Sequence, residues 1–454
     1  MPPFAAGTQV KIPLQQHLGA PATLVVTSGD RVLRGQLIGT ANGFVSANIH
    51  ASTSGQVLLV DSHTSDATGR SIPHVVIEAD GLDERQTLEA WTNWKDKDAK
   101  TLVGRIAEAG IVGMGGAGFP THVKLSPPPD KKIDTLIING AECEPYLTSD
   151  HRVMLEYPKE IIEGVEILQH ILGVKTAYIA IEEDKQDVID LFAGIGRAQA
   201  SSPRRTDENG AAGALPQGTP APYLASDIVI AVLKTMYPQG SEKQQIYAIT
   251  GREVPCSGLP MDVGCLVENV GTVLAIRNAV VEGWASDERV VTVTGFAVAK
   301  PQNLMARVGT PFSVLVAQCS DGIPAVVGGR DAAPTKIIAG GPMMGFAQYT
   351  LDVVVTKTTS GILALRVEDS ATYMSTSCIS CGRCNDVCPM RLLPSEMAQM
   401  IEADDIEGAV NLNLMDCFEC GACAYVCPAR RPLVQHFRRA KATIALKRSL
   451  EKKS

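Results

Sequence analysis

The sequence predicts a multidomain α/β and α+β chain, and three observations carry that prediction. Short β-rich runs with recurrent turn signals fill residues 1–80, helix and strand signals alternate from 100 to 193 around a glycine-rich loop, and a duplicated cysteine run stands near the C-terminus. At 454 residues the chain is long enough for several cores rather than one.

Composition narrows the class. Hydrophobic content of 45% and charged content of 20% are those of a globular protein. A net charge of −8 argues against a nucleic-acid partner, whose binding surface is normally basic. No run of about eighteen apolar residues is present, so no membrane span is expected. The start, MPPFAAGTQVKIPL, lacks the charged and apolar regions of a secretory signal. Eight of the twelve cysteines fall in two tight repeats, which points to metal in a reducing compartment rather than to disulfides. The cytosol, or at most a membrane surface, is the expected location.

Residues 1–80 carry alternating runs at Ala22–Thr27 and Gly55–Val60, broken by Ser28-Gly29-Asp30, Ala41-Asn42-Gly43 and Ser54-Gly55. That pattern predicts a small all-β unit. His17, His50 and His63 are expected to be structural or surface histidines rather than metal ligands.

The next unit is organised around Ile111–Leu125, IVGMGGAGFPTHVKL. Gly113, Gly115, Gly116 and Gly118 precede an aromatic-proline step and Lys124. Glycines let backbone N–H groups approach a phosphate closely, and a following helix N-terminus adds a favourable dipole. Tight turns use glycine too, so the loop alone leaves both readings open. Ile133–Asn139 reads as a buried strand running into Gly140-Ala141-Glu142-Cys143-Glu144-Pro145. Helices are expected at Thr101–Ala109, Pro158–Leu172 and Asp184–Phe192, with a strand at Thr176–Ile181. The 158–172 segment sets Ile161, Ile162, Val165, Leu168 and Leu172 on one face behind an N-terminal proline. Such alternation predicts a parallel sheet.

We place this unit at 100–285, with the Gly-, Ala-, Pro- and Ser-rich segment 194–226 as a flexible surface insertion. Asp227–Leu233 resumes as a strand and Ser241–Ile249 as a helix. Strands, turns and one short helix then mix from Val290 to Gln348, assigned to a unit at 286–350 in which Gly340–Gly345 is a turn.

Cys378-x2-Cys381-x2-Cys384-x3-Cys388-Pro389 is repeated as Cys417-x2-Cys420-x2-Cys423-x3-Cys427-Pro428. This is the bacterial ferredoxin spacing for two [4Fe–4S] clusters, in which the fourth cysteine of each run ligates the other cluster. Cys378, Cys381, Cys384 and Cys427 are therefore assigned to one cluster, and Cys417, Cys420, Cys423 and Cys388 to the other. A zinc ribbon would need two CxxC pairs across a long loop instead. Two helices, Pro394–Asp404 and Ile406–Met415, are expected between the runs in a unit at 370–433. Cys143, Cys256, Cys265 and Cys319 are isolated and expected to behave mostly as buried small hydrophobes. The tail, 434–454, is basic, and Leu433, Phe437, Ala440, Ile444 and Leu446 give it an apolar stripe. Acidic lipid headgroups, a partner protein or plain solvation all remain open for it.

The linked motifs GxGGAGFPTxxK (from Gly113 to Lys124) and NxxExEP (from Asn139 to Pro145) resemble the flavin- and NADH-binding subunit of respiratory complex I. PLxQHxGAP at Pro13–Pro21, YPQGSEKQQIYAITGREVP at Tyr237–Pro255 and TSCISCGRCNDVCPMRLLP narrow the resemblance to the RnfC family. Members of that family are the peripheral C subunits of the Rnf ion-translocating electron-transport complex. The resemblance implies an N-terminal barrel-sandwich hybrid (lipoyl-like) domain, a complex I-like FMN/NADH-binding α/β domain, a β-grasp (SLBB) domain and a C-terminal helical double [4Fe–4S] ferredoxin domain.

Carried over by motif, Gly113, Gly115, Lys124, Asn139, Glu142, Glu182, Glu183, Val267, Glu268, Asn269 and Thr272 would contact non-covalent FMN or the dinucleotide. Phe119 would stack on the adenine of NADH and Glu144 would sit by its ribose. Met114 stands where the complex I loop has arginine, Ala141 where it has aspartate, and Glu268 where it has asparagine.

The activity implied is NADH oxidation, with electrons passed through FMN and the clusters to other Rnf subunits, especially the iron–sulfur B subunit and the integral membrane subunits. Ferredoxin is then an indirect partner, Na+ or H+ the translocated ion, and the cytoplasmic face of the bacterial inner membrane the peripheral location. A soluble flavin/iron–sulfur NADH reductase, such as a microcompartment cobalamin reductase, and a non-enzymatic electron-transfer adaptor are the alternatives.

Overall fold

The computed structural model describes residues 3–199, 223–224, 227–320, 336–366, 368–370 and 374–451. Near the N-terminus, Gln9–Pro13, Ser71–Ala79, Gly55–Ser65 and Arg31–Val32 form one antiparallel sheet, in that order. Thr23–Leu24, Leu37–Thr40 and Ile49–His50 form a second. Val10, Ile12, Ile38, Ile49, Val75 and Ile77 fill the space between them. His17 and His50 are buried in this unit, where burial lowers their pKa to about 4 and about 3, so both are neutral.

The second unit is a five-stranded sheet in the order Tyr223–Leu224, Ile228–Leu233, Ala177–Glu182, Thr135–Asn139, Cys265–Asn269. All pairings are parallel except the short edge strand Tyr223–Leu224. The helix at Pro158–Leu172 forms as its pattern predicts, with Ile161, Ile162, Val165 and Leu168 buried against the sheet and left-handed Gly173 ending it. Each such side chain contributes roughly 1.5–3 kcal/mol by leaving water, so this face fixes the helix on the sheet.

The helix expected at Asp184–Phe192 runs instead over Gln186–Gln199, into the segment read as an insertion. Its buried face continues through Ile189, Phe192, Ala193 and Ile195, and that packing outweighs Gly194 and Gly196. Most of 194–226 lies outside the described residues.

The register places Asn139 opposite both Asn269 and Ala180. The carboxyl ends of three parallel strands therefore lie side by side, and ligands of open α/β sheets bind at that edge.

The third unit is a mixed sheet in the order Gln302–Arg307, Glu288–Thr294, Gly361–Leu365, Lys336–Ala339, Phe346–Gln348, with the helix Phe312–Gln318 packed on it. The expected limit at residue 350 is too short, because Gly361–Leu365 occupies the middle of this sheet. Its apolar run Gly-Ile-Leu-Ala-Leu is a buried central strand whose pairing partners lie earlier in the chain.

In the cysteine region, Pro394–Glu402 and Ile406–Asn411 form the two expected helices, and a longer one spans Leu433–Glu451. The apolar stripe of that last helix is not left for lipid along its first half. Leu433, Phe437 and Ala440 are buried against Met397, Ile401 and Leu414. Its cations Arg438 and Lys441 pair with Glu419 and Arg439 with Asp404, and Arg431 just before the helix pairs with Glu402. A limit between 433 and 434 thus divides one helix, and among the described residues Leu446 and Leu450 are its exposed large apolar side chains.

Candidate functional site

The glycine loop follows the helix Ala99–Glu108, whose first turn Asp98 caps by accepting from the Thr101 amide at 2.7 Å. Gly110, at φ 67°, allows the chain to leave this helix, because a Cβ there would meet the Asn48 carbonyl oxygen at 2.3 Å. The loop closes on itself where the Gly113 amide donates to the Phe119 carbonyl at 2.9 Å. The Met114 amide donates to Thr272 Oγ1 at 2.9 Å, which ties the loop to the helix Val270–Arg277.

Gly115 rests on Asn269, whose Cβ lies 3.0 Å from where a Gly115 Cβ would stand. Gly116 has nothing within 4 Å of its would-be Cβ, so the loop presents one open backbone face. Asn269 caps the Val270–Arg277 helix by accepting from the Gly271 amide at 2.9 Å, and its Nδ2 donates to Asp150 at 2.7 Å.

Lys124 reaches this edge from the short helix Thr121–Lys124. Its Nζ donates to the Val267 carbonyl and to Glu242 at 2.7 Å, with Glu268 Oε1 3.8 Å away. Burial works against the ammonium, but Glu268 and Glu242 outweigh it and raise its pKa. Glu268 is pushed up to about 7 by burial, which the Lys124 charge offsets only in part. Its Oε1 is buried without a hydrogen-bond partner. Lys124 supplies a nearby charge, and room for a hydrogen-bond donor remains at this oxygen.

With a folded pKa above the unfolded value, Glu268 stabilises the fold below about pH 4.5, and that contribution is lost as pH rises through about 7. Glu268→Gln is expected to flatten this slope and to raise the melting temperature at pH 8 relative to the wild-type chain. Parallel pH–melting curves for the two proteins would contradict this reading.

Of the residues singled out by motif, Gly113, Gly115, Lys124, Val267, Glu268, Asn269 and Thr272 meet at the strand ends. Asn139 lies beside them with its side chain occupied, donating to the Gly240 carbonyl at 2.8 Å and accepting from Gln245 at 2.6 Å. Glu142 accepts from Ser149 Oγ and from the amides of Asp150 and His151, at 3.0–3.2 Å. Burial, then the Asp150 charge, raises its pKa to about 7. Glu182 is buried at a strand end, Glu183 is exposed, and Phe119 stands half-exposed at the loop exit.

Glu144 is engaged within the chain. Its carboxylate accepts from the amides of Met343 and Met344, at 3.2 and 2.6 Å, in the Gly340–Gly345 turn. An acid flanked by proline in sequence carries no sign of such a partner two hundred residues away.

Sequence reasoning missed four further groups. Arg289, buried beneath the loop, donates to the carbonyls of Met114 at 3.3 Å and Lys357 at 2.7 Å. The Lys357 ammonium, fully buried, donates to the carbonyls of Asn48 and Gly110. Asp150 looks like any acid in the first turn of a helix and carries no other signal. Tyr237 and its neighbours stand out in sequence as a family stretch, but with no role attached. In the structure Tyr237 donates to the Cys420 carbonyl and Gln244 to that of Pro389, at 3.3 Å for the latter. The same stretch holds Asn139 through Gly240 and Gln245. It therefore touches the cysteine region on one side and the nucleotide edge on the other. Of the four isolated cysteines, Cys265 and Cys319 are buried, Cys143 is partly buried, and Cys256 is exposed and bonds Asp416.

A cavity of about 340 Å3 is lined by Cys378, Cys381 and Cys384 together with Cys427 from the second run. Cys423 has Cys417, Cys420 and Cys388 near enough to interact with it electrostatically. Gly382 and Gly421, both left-handed, start the short helices Arg383–Asp386 and Ala422–Tyr425 inside the two runs. Four thiols around one such space suit a [4Fe–4S] cluster. The open Gly116 face, the loop amides and the unpartnered Glu268 oxygen suit a flavin nucleotide at the other site.

Comparison with known families agrees with both. Residues 106–278 match the Nuo51 FMN-binding domain, 3–82 the RnfC barrel sandwich hybrid domain, and 371–428 a 4Fe-4S dicluster domain. Fold and matches together define a redox protein that carries FMN and two [4Fe–4S] clusters. The chain is 45% identical over 436 residues, 96% of its length and 88% of the relative's, to the C subunit of the proton-translocating ferredoxin:NAD(+) oxidoreductase complex of Clostridium ljungdahlii. It is 42% identical over 441 residues, 97% of its length and 91% of the relative's, to the C subunit of the Na(+)-translocating complex of Acetobacterium woodii. The chain therefore belongs to the RnfC family, the C subunits of ion-translocating oxidoreductase complexes.

Among solved structures, an NAD+-reducing [NiFe]-hydrogenase in the H2-reduced state shares the fold at a TM-score of 0.51 and 18% identity, over 81% of this chain and 69% of that one. Among the described residues no helix is long and apolar enough to cross a membrane.

Proposed function

We propose that this chain is the electron-input subunit of an Rnf complex, oxidising NADH and passing its electrons through FMN and two [4Fe–4S] clusters to other subunits. The observation that carries this reading is the Tyr237–Gln245 stretch, which is bonded to the Cys420 ligand loop and to the nucleotide edge at once. A cofactor pair meant to exchange electrons needs such a fixed separation.

FMN, when bound, supplies the exchange between two-electron and one-electron chemistry. The chain's part is to hold and orient. Gly115 and the open Gly116 face offer amides to a phosphate, Gly113 holds the loop closed through its bond to Phe119, and Lys124 keeps its charge. Val267, Glu268, Asn269 and Thr272 wall the same crevice, with the free Glu268 oxygen as its polar contact. Asn139 and Glu142, whose polar atoms are occupied within the protein, shape the crevice from behind. Phe119, Glu182 and Glu183 lie on the NADH side. We assign Glu144 to the junction with the Gly340–Gly345 turn instead of to the ribose.

The nearer cluster is that of Cys388, Cys417, Cys420 and Cys423, since Tyr237 touches Cys420. The cluster of Cys378, Cys381, Cys384 and Cys427 is then the way out, toward the iron–sulfur B subunit and the integral membrane subunits. Those subunits would couple ferredoxin and NAD(H) chemistry to Na+ or H+ movement at the cytoplasmic face of the inner membrane, and the flow is reversible.

Anaerobic NADH is expected to bleach the flavin band of the purified chain and then to generate the spin signal of a reduced cluster. Tyr237→Phe should leave bleaching unchanged and slow the spin signal about three- to tenfold, the value of one neutral hydrogen bond. Absence of any flavin bleaching by NADH in the flavin-loaded wild-type chain would overturn the reading.

A further inference from the structure

Oxidation of NADH to NAD+ releases two electrons and one proton. If the electrons leave singly through iron–sulfur clusters, which carry no proton with them, the proton stays at the nucleotide site and needs its own way to solvent. The reverse flow needs the same proton delivered inward. This requirement rests on the NADH-oxidising reading above.

We propose that Asp150 and the cavity behind it are the proton path of the nucleotide site. Asp150 lies one hydrogen bond from the loop's floor, its Oδ2 accepting from Asn269 Nδ2 at 2.7 Å, and Gly115 packs on that same Asn269. On its other side Asp150 lines a cavity of about 70 Å3, together with Asn278, Trp284, Ser286, Glu288 and Arg289. That volume holds a few water molecules. Ser286 carries a buried hydroxyl with no hydrogen-bond partner in the protein, the kind of group that ordered water satisfies. Glu288 is partly exposed and paired with Arg34, so the cavity runs from a buried carboxyl to a carboxylate at the surface.

The charges around Asp150 suit a group that takes and gives a proton. Glu142 faces it from the strand-end loop, and its carboxylate accepts from Asp150's own amide at 3.1 Å. Arg289 faces it from the third sheet, with its hydrogen bonds directed to backbone carbonyls. Asp287 and Glu288 precede Arg289 on that strand and are engaged by Arg34 and Arg85. His151, the next residue, pairs with Asp187 at 2.9 Å and points elsewhere. Burial raises the pKa of Asp150 above the ordinary carboxylate value, against the lowering by its Asn269 hydrogen bond and the Arg289 charge. The step is balanced without a further reactant: NADH gives NAD+, two electrons leave through the clusters, and the proton moves by way of Asp150 and the cavity water to solvent.

The test uses the full chain loaded with flavin and clusters, mixed with NADH in weakly buffered solution containing a pH indicator. In the wild type, proton appearance should keep pace with the cluster spin signal. Asp150→Asn, which can still accept from Asn269, and Ser286→Val, which fills the cavity and removes its hydroxyl, should each delay proton appearance about tenfold or more. Asp150→Glu should restore it. Flavin absorbance and iron content establish that each variant is folded. Independently of turnover, the infrared difference between electrochemically reduced and oxidised protein should contain a deuterium-sensitive carboxyl band that Asp150→Asn removes. Undelayed proton release in both variants, or a carboxyl band unaffected by Asp150→Asn, overturns the proposal and shows that the proton leaves through the open crevice. A wild-type chain that NADH does not bleach overturns the underlying reading instead.

Discussion

Cys427→Ala should remove about half of the iron, and the half it removes should be the cluster of the first cysteine run, which lies some forty residues earlier in the chain. The expectation rests on the shared cavity that Cys427 lines with Cys378, Cys381 and Cys384. Flavin bleaching by NADH and reduction of the nearer cluster should survive, because Cys388, Cys417, Cys420 and Cys423 are untouched. Cys388→Ala should do the reverse. It removes a ligand from the cluster beside Tyr237 and Cys420, so flavin still bleaches while no electron reaches the other cluster. Paramagnetic resonance of NADH-reduced and dithionite-reduced samples separates the two cases. If each substitution destroyed only the cluster of its own run, the crosswise ligation would be wrong; if NADH still reduced the remaining cluster of Cys388→Ala, the order of the two clusters would be wrong.

Asp287→Ala should lower stability by on the order of 3–5 kcal/mol, the usual consequence of stranding buried cations. Asp287, at 1% side-chain exposure, holds Arg34 at 2.7 Å and Arg85 at 3.3 Å. Arg34 also meets Glu288 and Asp83, and Arg307 pairs with Asp83 through both guanidinium nitrogens. This network fastens the N-terminal β unit to the third sheet. The N-terminal unit in turn braces the glycine loop, since the Leu18 amide donates to the Gly118 carbonyl at 3.1 Å. Flavin retention should therefore fall along with the melting temperature, while iron content stays constant. Asp287→Asn keeps the hydrogen-bonding shape and should fall between the two. A variant with unchanged melting temperature and flavin affinity would show that the network contributes neither stability nor support.

Much of this arrangement is legible along the chain because it depends on neighbours in sequence. The helix at Pro158–Leu172 follows from the spacing of its apolar residues and its proline start. The strand ending at Asn139 and the glycine loop are fixed by short runs in the same way. The signals fail where partners are remote. Nothing at Arg289 or Lys357 announces that each would support the glycine loop from more than 170 residues away. Nothing in the motif around Glu144 announces the Met343 and Met344 amides that bond it. Leu433, Phe437 and Ala440 read as a free amphipathic face because the surface that covers them, Met397, Ile401 and Leu414, belongs to earlier helices.

The amino-acid sequence by itself determined which chemistry this protein carries, since cysteine spacing and glycine placement are covalent facts of short segments. The tertiary structure alone decided which acids face the crevice and which are tied elsewhere, and where a buried carboxyl meets water. Those outcomes depend on burial and on hydrogen bonds between residues far apart in the chain, and the free energy of such contacts exists only once the sheets have closed on one another.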